Sequence, residues 1–99
     1  MDLYEINFTE TAIYNLEEIF TYISIELEDV LVAEKVVRDI IRKCYRLTLF
    51  PEAHTVRFEI ESKKMRVIRS GKYVIAYSTN KKSRTVDIEY IAHSRRNVI

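Results

Sequence analysis

Four residues in the C-terminal half of this 99-residue chain carry side chains that can act together on a phosphodiester: Arg66, Arg69, His93 and Arg96. Guanidinium groups bind phosphate oxygens in bidentate pairs and stabilise the extra negative charge of a pentavalent phosphorane, while histidine transfers protons near neutral pH. If the strands that carry them end side by side, the set predicts metal-independent RNA cleavage through attack of a 2′-hydroxyl. Taken singly, each arginine is more often an ordinary strand-end charge, and a lone histidine is more often structural than catalytic.

Further basic residues surround this set. Residues 1–50 hold five Lys/Arg against ten Asp/Glu, a balance of −5, whereas residues 51–99 hold eleven against five, a balance of +6. Such a split predicts a basic surface, built by the C-terminal third, that attracts nucleic acid or an acidic polypeptide. The residues predicted to bind this target or RNA are Lys63, Lys64, Lys72 and Arg95.

The sequence lacks the residue patterns of metal sites, nucleotide-binding loops and serine hydrolases. His54, His93 and a single helical cysteine, Cys44, do not make a zinc site, and the chain has no phosphate-binding glycine loop and no nucleophile elbow. We therefore expect neither a metal nor a cofactor. One cysteine cannot form an internal disulfide, and no signal-peptide pattern or membrane-spanning run is present. These features predict a cytoplasmic protein without membrane contact.

The first half of the chain changes its hydrophobic period twice. Residues 3–8 alternate apolar and polar, which is the period of a half-buried strand lying first in a sheet. From Thr9, the predicted N-cap, apolar residues recur every three or four positions, as in an amphipathic helix. A second such stripe follows Asp29, also a predicted N-cap, and Pro51 is predicted to end that helix. The short joint predicts an antiparallel αα-hairpin.

The second half is predicted to form strands at about 56–60, 64–69, 72–79 and 85–93. A two-residue turn at Ser70-Gly71 and a polar loop at residues 80–83 separate the later strands. Residues 73–77 are apolar on both faces, which predicts a central strand. The predicted fold class is therefore α+β, with an N-terminal strand, an antiparallel αα-hairpin and a C-terminal antiparallel β-meander in one domain, residues 1–99.

Five segments, in this order and spacing, resemble the RelE/ParE toxin superfamily over nearly the whole chain. They are YEINF at residues 4–8, AIYNLEEI at 12–19, LFPE at 49–52, YVIAY at 73–77 and IAHSRRN at 91–97. The resemblance implies a small antiparallel sheet backed by a helical hairpin. It also implies growth inhibition, and neutralisation by a cognate antitoxin in a toxin–antitoxin hetero-oligomer. The exposed sheet edges, near Arg57 or at the end of the meander, are expected to accept an antitoxin strand.

Two targets are open within this resemblance. RelE-like members cut mRNA in the ribosomal A site with basic residues and often a His or Tyr. ParE-like members lack that catalytic set and poison DNA gyrase. A third alternative is a non-toxic relative that serves only as a protein-interaction domain.

The resemblance is carried over residue by residue. Arg96 matches an arginine near the end of the last strand in RelE-like enzymes, and His93 falls where some ribonuclease members have a catalytic His. Lys64 and Arg66 correspond to a basic pair on a preceding strand. However, Val74 stands where RelE has a further arginine, and the chain ends before the segment that supplies the catalytic Tyr of RelE. The ending HSRRN resembles the ParE-like His-Gly-x-Arg-Asp ending, which favours the ParE-like branch and gyrase as the target.

Overall fold

The computed structural model describes residues 3–95. Its helices are α1 at Glu10–Thr21 and α2 at Val30–Tyr45, and its strands are β1 at Glu5–Phe8, β2 at Val56–Ile60, β3 at Lys63–Ser70, β4 at Tyr73–Asn80 and β5 at Thr85–His93. The predicted succession of strand, helical hairpin and meander is confirmed, with strand limits displaced by at most two residues. Within residues 3–95, no helix has the length and apolar character needed to cross a membrane.

Both helices begin where the sequence predicts. Thr9 Oγ1 accepts a hydrogen bond from the Ala12 N–H at 3.1 Å and donates one to the Ile88 carbonyl at 2.8 Å, so this cap also ties α1 to β5. Asp29 Oδ1 accepts from the Val32 N–H at 3.0 Å. Caps of this kind satisfy N–H groups that the first helical turn leaves unpaired.

A π-helical turn at Tyr22–Glu26 extends α1 into the hairpin joint. The Leu27 N–H donates to the carbonyl of Tyr22, five residues earlier, at 3.3 Å. This wider turn buries Ile23 at 4% exposure and leaves the neighbouring Ile25 66% exposed. Ile23 is buried as the helical stripe predicts, whereas Leu27, the last residue of that stripe, is 56% exposed.

The end of α2 differs from the prediction. The helix ends at Tyr45, where a 3₁₀ turn at Arg46–Thr48 tightens the chain and Thr48 Oγ1 donates to the Tyr45 carbonyl at 2.7 Å. Pro51 instead begins a second 3₁₀ turn, at Pro51–Ala53. It disfavours a right-handed helical conformation in the preceding Phe50, which has φ 52° and ψ 49°. The prediction that Pro51 stops the helix is wrong because the capped turn ends α2 earlier.

The five strands form one mixed sheet in the order β1-β5-β4-β3-β2. Strands β2 to β5 pair antiparallel in succession, as the predicted meander requires, whereas β1 pairs parallel with β5. The strand that carries Arg57, β2, is an edge of the sheet as expected. The last strand, β5, is not an edge where β1 covers it, from Thr85 to Ile88.

Two tight turns set the register of the meander. The turn between β3 and β4 is Gly71-Lys72, one residue later than expected. Gly71 has φ 57° and Lys72 does not have a positive φ, which is the pattern of a type II′ turn. The turn between β2 and β3 is Glu61-Ser62, with φ values of 51° and 69°, as in a type I′ turn built without glycine.

Strand β4 is central, as its apolar run predicts. Ile75 and Tyr77 point towards the helices and are completely buried. Val74 and Ala76 lie on the other face, which neither α1 nor α2 covers, yet they are only 7% and 1% exposed. The main core lies between the sheet and the hairpin, where Ile75 and Tyr77 pack with Ala12, Ile40, Cys44, Leu47, Val86, Ile88 and Ile91.

Candidate functional site

The register of the sheet separates the predicted nuclease residues. Arg66 pairs with Tyr77 on one side of β4, and His93 pairs with Tyr73 on the other side. Both point to the helix face, but their partners lie four residues apart along β4, a distance of about 13 Å. Arg69 follows Arg66 by three residues and therefore points to the opposite face of the sheet. The structure does not bring these three side chains into one cleft.

His93 is fixed from two sides at the end of β5. Its Nδ1 accepts a hydrogen bond from the Arg95 N–H at 3.0 Å, and its ring stands edge-on to Tyr73 with centroids 5.3 Å apart. An acceptor at Nδ1 places the proton of the neutral ring on Nε2. Arg96, the predicted neighbour, lies outside the described residues, and neither described member of the predicted arginine set shares this end and face of the sheet.

Arg66 lies beside the buried Tyr77. The Tyr77 hydroxyl donates to the Pro51 carbonyl at 2.6 Å. Burial raises the pKa of Tyr77 to about 12, with Arg66 partly opposing the shift and Glu52 adding to it. The phenol therefore stays neutral and structural near pH 7. The Nε of Arg66 is buried without a hydrogen-bond partner among the described residues.

The predicted target-binding residues fall into two separate patches. Lys63 and Lys64 line a polar pocket with Arg66, beside the β2–β3 turn. Within this pocket region, Lys63 forms an ion pair with Glu89 at 3.4 Å, and Glu89 also accepts a hydrogen bond from Ser78 at 2.6 Å. The remaining two lie at the opposite end of the sheet, near His93: Lys72 and Arg95.

Within residues 3–95, no group of three His, Cys, Asp or Glu side chains is arranged to hold a metal ion. Cys44 lies in the main core. Burial raises the pKa of its thiol to about 12. A neutral, inaccessible thiol is neither a nucleophile nor a metal ligand, so Cys44 contributes packing.

A groove that the sequence analysis did not single out lies between the end of α2 and the edge of β3. We call it the α2–β3 groove, and its charged and aromatic lining consists of Lys43, Arg46, Phe50, His54, Arg57 and Arg69. In the sequence, Lys43 and Arg46 look like the usual basic residues near a helix C-terminus. Only the fold places them next to Arg57. An aromatic residue before Pro51, between two basic segments, was the one local signal.

A second surface missed by the sequence analysis is apolar. Leu27 belongs to the predicted buried stripe of α1, yet it is 56% exposed, and Leu31 at the start of α2 is 77% exposed. We call this surface the hairpin tip, and its exposed members are Tyr22, Ile25, Leu27, Val30, Leu31 and Val32. Several exposed large apolar side chains within one short stretch of the chain make this joint a candidate protein-binding surface.

Comparison with protein families gave one match over most of the chain. The family model for the ParE toxin of the type II toxin-antitoxin system parDE matches residues 6–98. A comparison with curated proteins found no match.

Solved structures of toxin–antitoxin complexes share the fold. A chain of the chromosomal ParDE system from P. aeruginosa superposes with a TM-score of 0.74 at 16% identity, covering 94% of this chain and 98% of the other. A chain of the RelBE2 complex from Mycobacterium tuberculosis gives 0.70 at 19% identity, covering 94% and 93%. A chain of the archaeal RelE–RelB complex from Pyrococcus horikoshii OT3 gives 0.66 at 16% identity, covering 97% and 99%. The predicted α+β fold is thereby confirmed.

Proposed function

Because the chain belongs to the ParE toxin family of type II toxin–antitoxin systems, we propose that it arrests growth by acting on DNA gyrase and does not itself cleave RNA. The arrangement of Arg66, Arg69 and His93 carries this choice. A nuclease must place its proton-transfer group and its guanidinium groups within hydrogen-bond reach of one phosphate. The proposal is supported by the separation of about 13 Å between the backbone positions of Tyr73 and Tyr77 along β4 and by the place of Arg69 on the opposite face.

Induced expression in a bacterial host, with translation and replication followed in parallel, tests the target. We expect covalent gyrase–DNA complexes to accumulate and an SOS reporter to be induced, while amino-acid incorporation continues at first and ribosome-associated mRNA stays intact. Purified toxin added to purified gyrase should reproduce the trapped complexes. Early arrest of translation, with mRNA cut on the ribosome, would show that the target is wrong.

Substitution of His93 separates the two mechanisms further. Since His93 is held by Tyr73 and the Arg95 N–H rather than by a catalytic partner, we expect His93→Gln to retain toxicity. Circular dichroism and thermal unfolding of the purified variant provide the folding control. A folded His93→Gln protein that has lost all toxicity would favour the nuclease.

A ribosome-dependent endonuclease is the second candidate, and one observation favours it. Lys63, Lys64 and Arg66 share a polar pocket, and the Arg66 Nε has no hydrogen-bond partner in the part of the chain that the structure describes. A nuclease of this fold would bind RNA in that pocket, and the double substitution Lys64→Gln/Arg66→Gln would abolish its activity. Under the gyrase proposal, the same double variant traps gyrase–DNA complexes as the unchanged protein does.

The proposed function includes a cognate antitoxin. The similar solved structures are toxin–antitoxin complexes, and the apolar hairpin tip offers a surface for a protein partner. The neighbouring gene, if it encodes a small acidic protein, is the one to co-express. We expect the two proteins to copurify as a hetero-oligomer and growth to be restored.

A further inference from the structure

The α2–β3 groove exists because β2 is shorter than β3. Val56, the first residue of β2, pairs with Arg66, so β3 continues from Val67 to Ser70 with no strand from residues 3–95 on that side. The end of α2 and the segment that follows it form the opposite wall. Lys43, Arg46 and Arg57 line the groove with Arg69 at its β3 edge, and no carboxylate of the described residues lines it. An unopposed group of cations favours an anionic ligand.

Phe50 places an aromatic ring at this groove, in a strained conformation. Its φ of 52° lies in the left-handed region, and its side chain is 78% exposed. The following Pro51 is buried and its carbonyl accepts the Tyr77 hydroxyl at 2.6 Å, which anchors the loop to the core. A non-glycine residue stays in this region only when its surroundings hold it there. The backbone at Phe50 is therefore held in place, and its mostly exposed ring is available to a ligand.

The combination of separated cations and an available ring fits one class of ligand. We propose that the α2–β3 groove binds a single-stranded nucleic acid, with Lys43, Arg46 and Arg57 on successive phosphates and an unpaired base stacked on Phe50. Binding of single strands elsewhere uses this pairing of a basic groove with an aromatic platform. An acidic peptide could bind the same cations and the edge of β3, but its carboxylates do not stack on an aromatic ring as a base does. This binding involves no cleavage and is independent of the gyrase proposal.

Fluorescence anisotropy with a labelled oligothymidylate of about twelve nucleotides measures this binding on the purified toxin without gyrase. Each phosphate neutralised on a single strand contributes about −0.7 to the slope of log affinity against log salt, so three or four cations give a slope of about −2 to −3. We expect a slope in this range. The same slope implies that each contact contributes about fivefold to affinity near 0.1 M salt.

Charge variants locate the site. Arg46→Gln/Arg57→Gln removes two of the contacts and is expected to weaken binding by about 10- to 30-fold and to reduce the slope by about 1.4. The matched control is Arg38→Gln/Lys82→Gln, which removes the same charge from two exposed residues outside the groove. We expect the control to change affinity by less than about twofold.

Phe50→Gly tests the stacking step without risk to the fold. Glycine adopts a positive φ without strain, and the ring it removes is mostly exposed, so the melting temperature should not fall. Loss of one stacked base should weaken oligothymidylate binding by about 5- to 100-fold. Binding of a duplex of about the same length should not change, because its bases are already stacked on one another.

Three results would overturn the proposal. The first is absence of measurable oligothymidylate binding at low salt. The second is equal loss of binding in the groove variant and its control, which would place the nucleic acid elsewhere. The third is a labelled poly-glutamate peptide that binds more tightly than the oligonucleotide, together with a Phe50→Gly variant that binds both ligands as the unchanged protein does. That result would identify the groove as a peptide site.

Discussion

Tyr77 and Cys44 show how buried polar side chains shape this protein at the level of single residues. The Tyr77 hydroxyl is the hydrogen-bond donor that joins the centre of β4 to the loop after α2, through the Pro51 carbonyl. That loop carries Phe50 at the α2–β3 groove. One buried hydrogen bond therefore links the core to a proposed binding surface.

We predict that Tyr77→Phe lowers the free energy of unfolding by about 1 to 2 kcal/mol, because it leaves the Pro51 carbonyl without its donor. Urea unfolding followed by circular dichroism measures the change. Tyr14→Phe is the control, since Tyr14 is 59% exposed and its substitution should have little effect. Equal stability of the two variants would contradict the assigned role of the hydroxyl.

Stability is also predicted to fall at alkaline pH. Burial raises the pKa of Cys44 to about 12 from its usual value near 9, so the folded state favours the neutral thiol. The resulting stability is present in full below about pH 9 and is lost as the pH rises from 9 towards 12, at about 1.4 kcal/mol per pH unit. Tyr77 adds a similar loss above about pH 10, its usual pKa, because burial raises its pKa to about 12.

Urea unfolding between about pH 8 and pH 10 under reducing conditions checks this dependence. Cys44→Ala is expected to be less stable than the unchanged protein at neutral pH, because a methyl-sized cavity remains. Its stability should nevertheless fall less steeply between these pH values. Parallel curves for the two proteins would show that the thiol does not titrate as described.

At the level of elements, the β2–β3 turn contains removable strain. Glu61 and Ser62 both have positive φ, and non-glycine residues in this region cost about 1 kcal/mol or more each. Type I′ turns strongly prefer Asn-Gly. We predict that Glu61→Asn/Ser62→Gly raises the melting temperature by about 4 to 8 °C, the change that about 1 kcal/mol produces in a domain of this size.

The matched control for this turn is the one that follows β3. Gly71 already has φ 57° and open space where a Cβ would stand. Gly71→Ala should therefore lower the melting temperature through backbone strain alone. A turn variant that melts no higher than the unchanged protein would mean that the turn conformation is not the strained one described.

At the level of the whole molecule, the surface has three regions that differ in charge and polarity. The α2–β3 groove is basic, the polar pocket beside the β2–β3 turn combines lysines with Glu52 and Asp87, and the hairpin tip is apolar. The opposite charges of the two sequence halves do not map onto two halves of the fold, since Lys43 and Arg57 line the same groove. Three chemically different faces allow different partners to be engaged at separate places.

The hairpin tip is proposed to bind the antitoxin, and Leu31→Glu tests this. A charge in the centre of an apolar contact loses both burial and solvation. We predict that antitoxin affinity falls at least tenfold by calorimetry and that co-expression no longer restores growth, while toxicity remains. Tyr14→Glu, at an exposed position on α1 outside the hairpin tip and the sheet edges, is the control. Unchanged neutralisation of the Leu31→Glu protein would remove the tip from the interface.

The sequence by itself determined the features that depend on neighbours along the chain. The caps at Thr9 and Asp29, the two helical stripes, the limits of β2 and β5 and the central position of β4 follow from local hydrogen bonding and hydrophobic period. Pro51 and the turn at Gly71-Lys72 were misplaced because other local interactions, the turn after Tyr45 and the pairing register, take precedence there. The family resemblance depends on the order of such segments, so it was identified from the sequence as well.

The relative position of residues far apart in the chain was decided only by tertiary structure. Arg66 and His93 are kept apart because β3 and β5 pair with β4 at positions four residues apart, Tyr77 and Tyr73. Likewise, the basic end of α2 borders a groove only because β2 begins opposite Arg66. The rest of β3, from Val67 to Ser70, is then unpaired on that side among the described residues. Register and strand length follow from the packing of the whole sheet, and no local pattern encodes them.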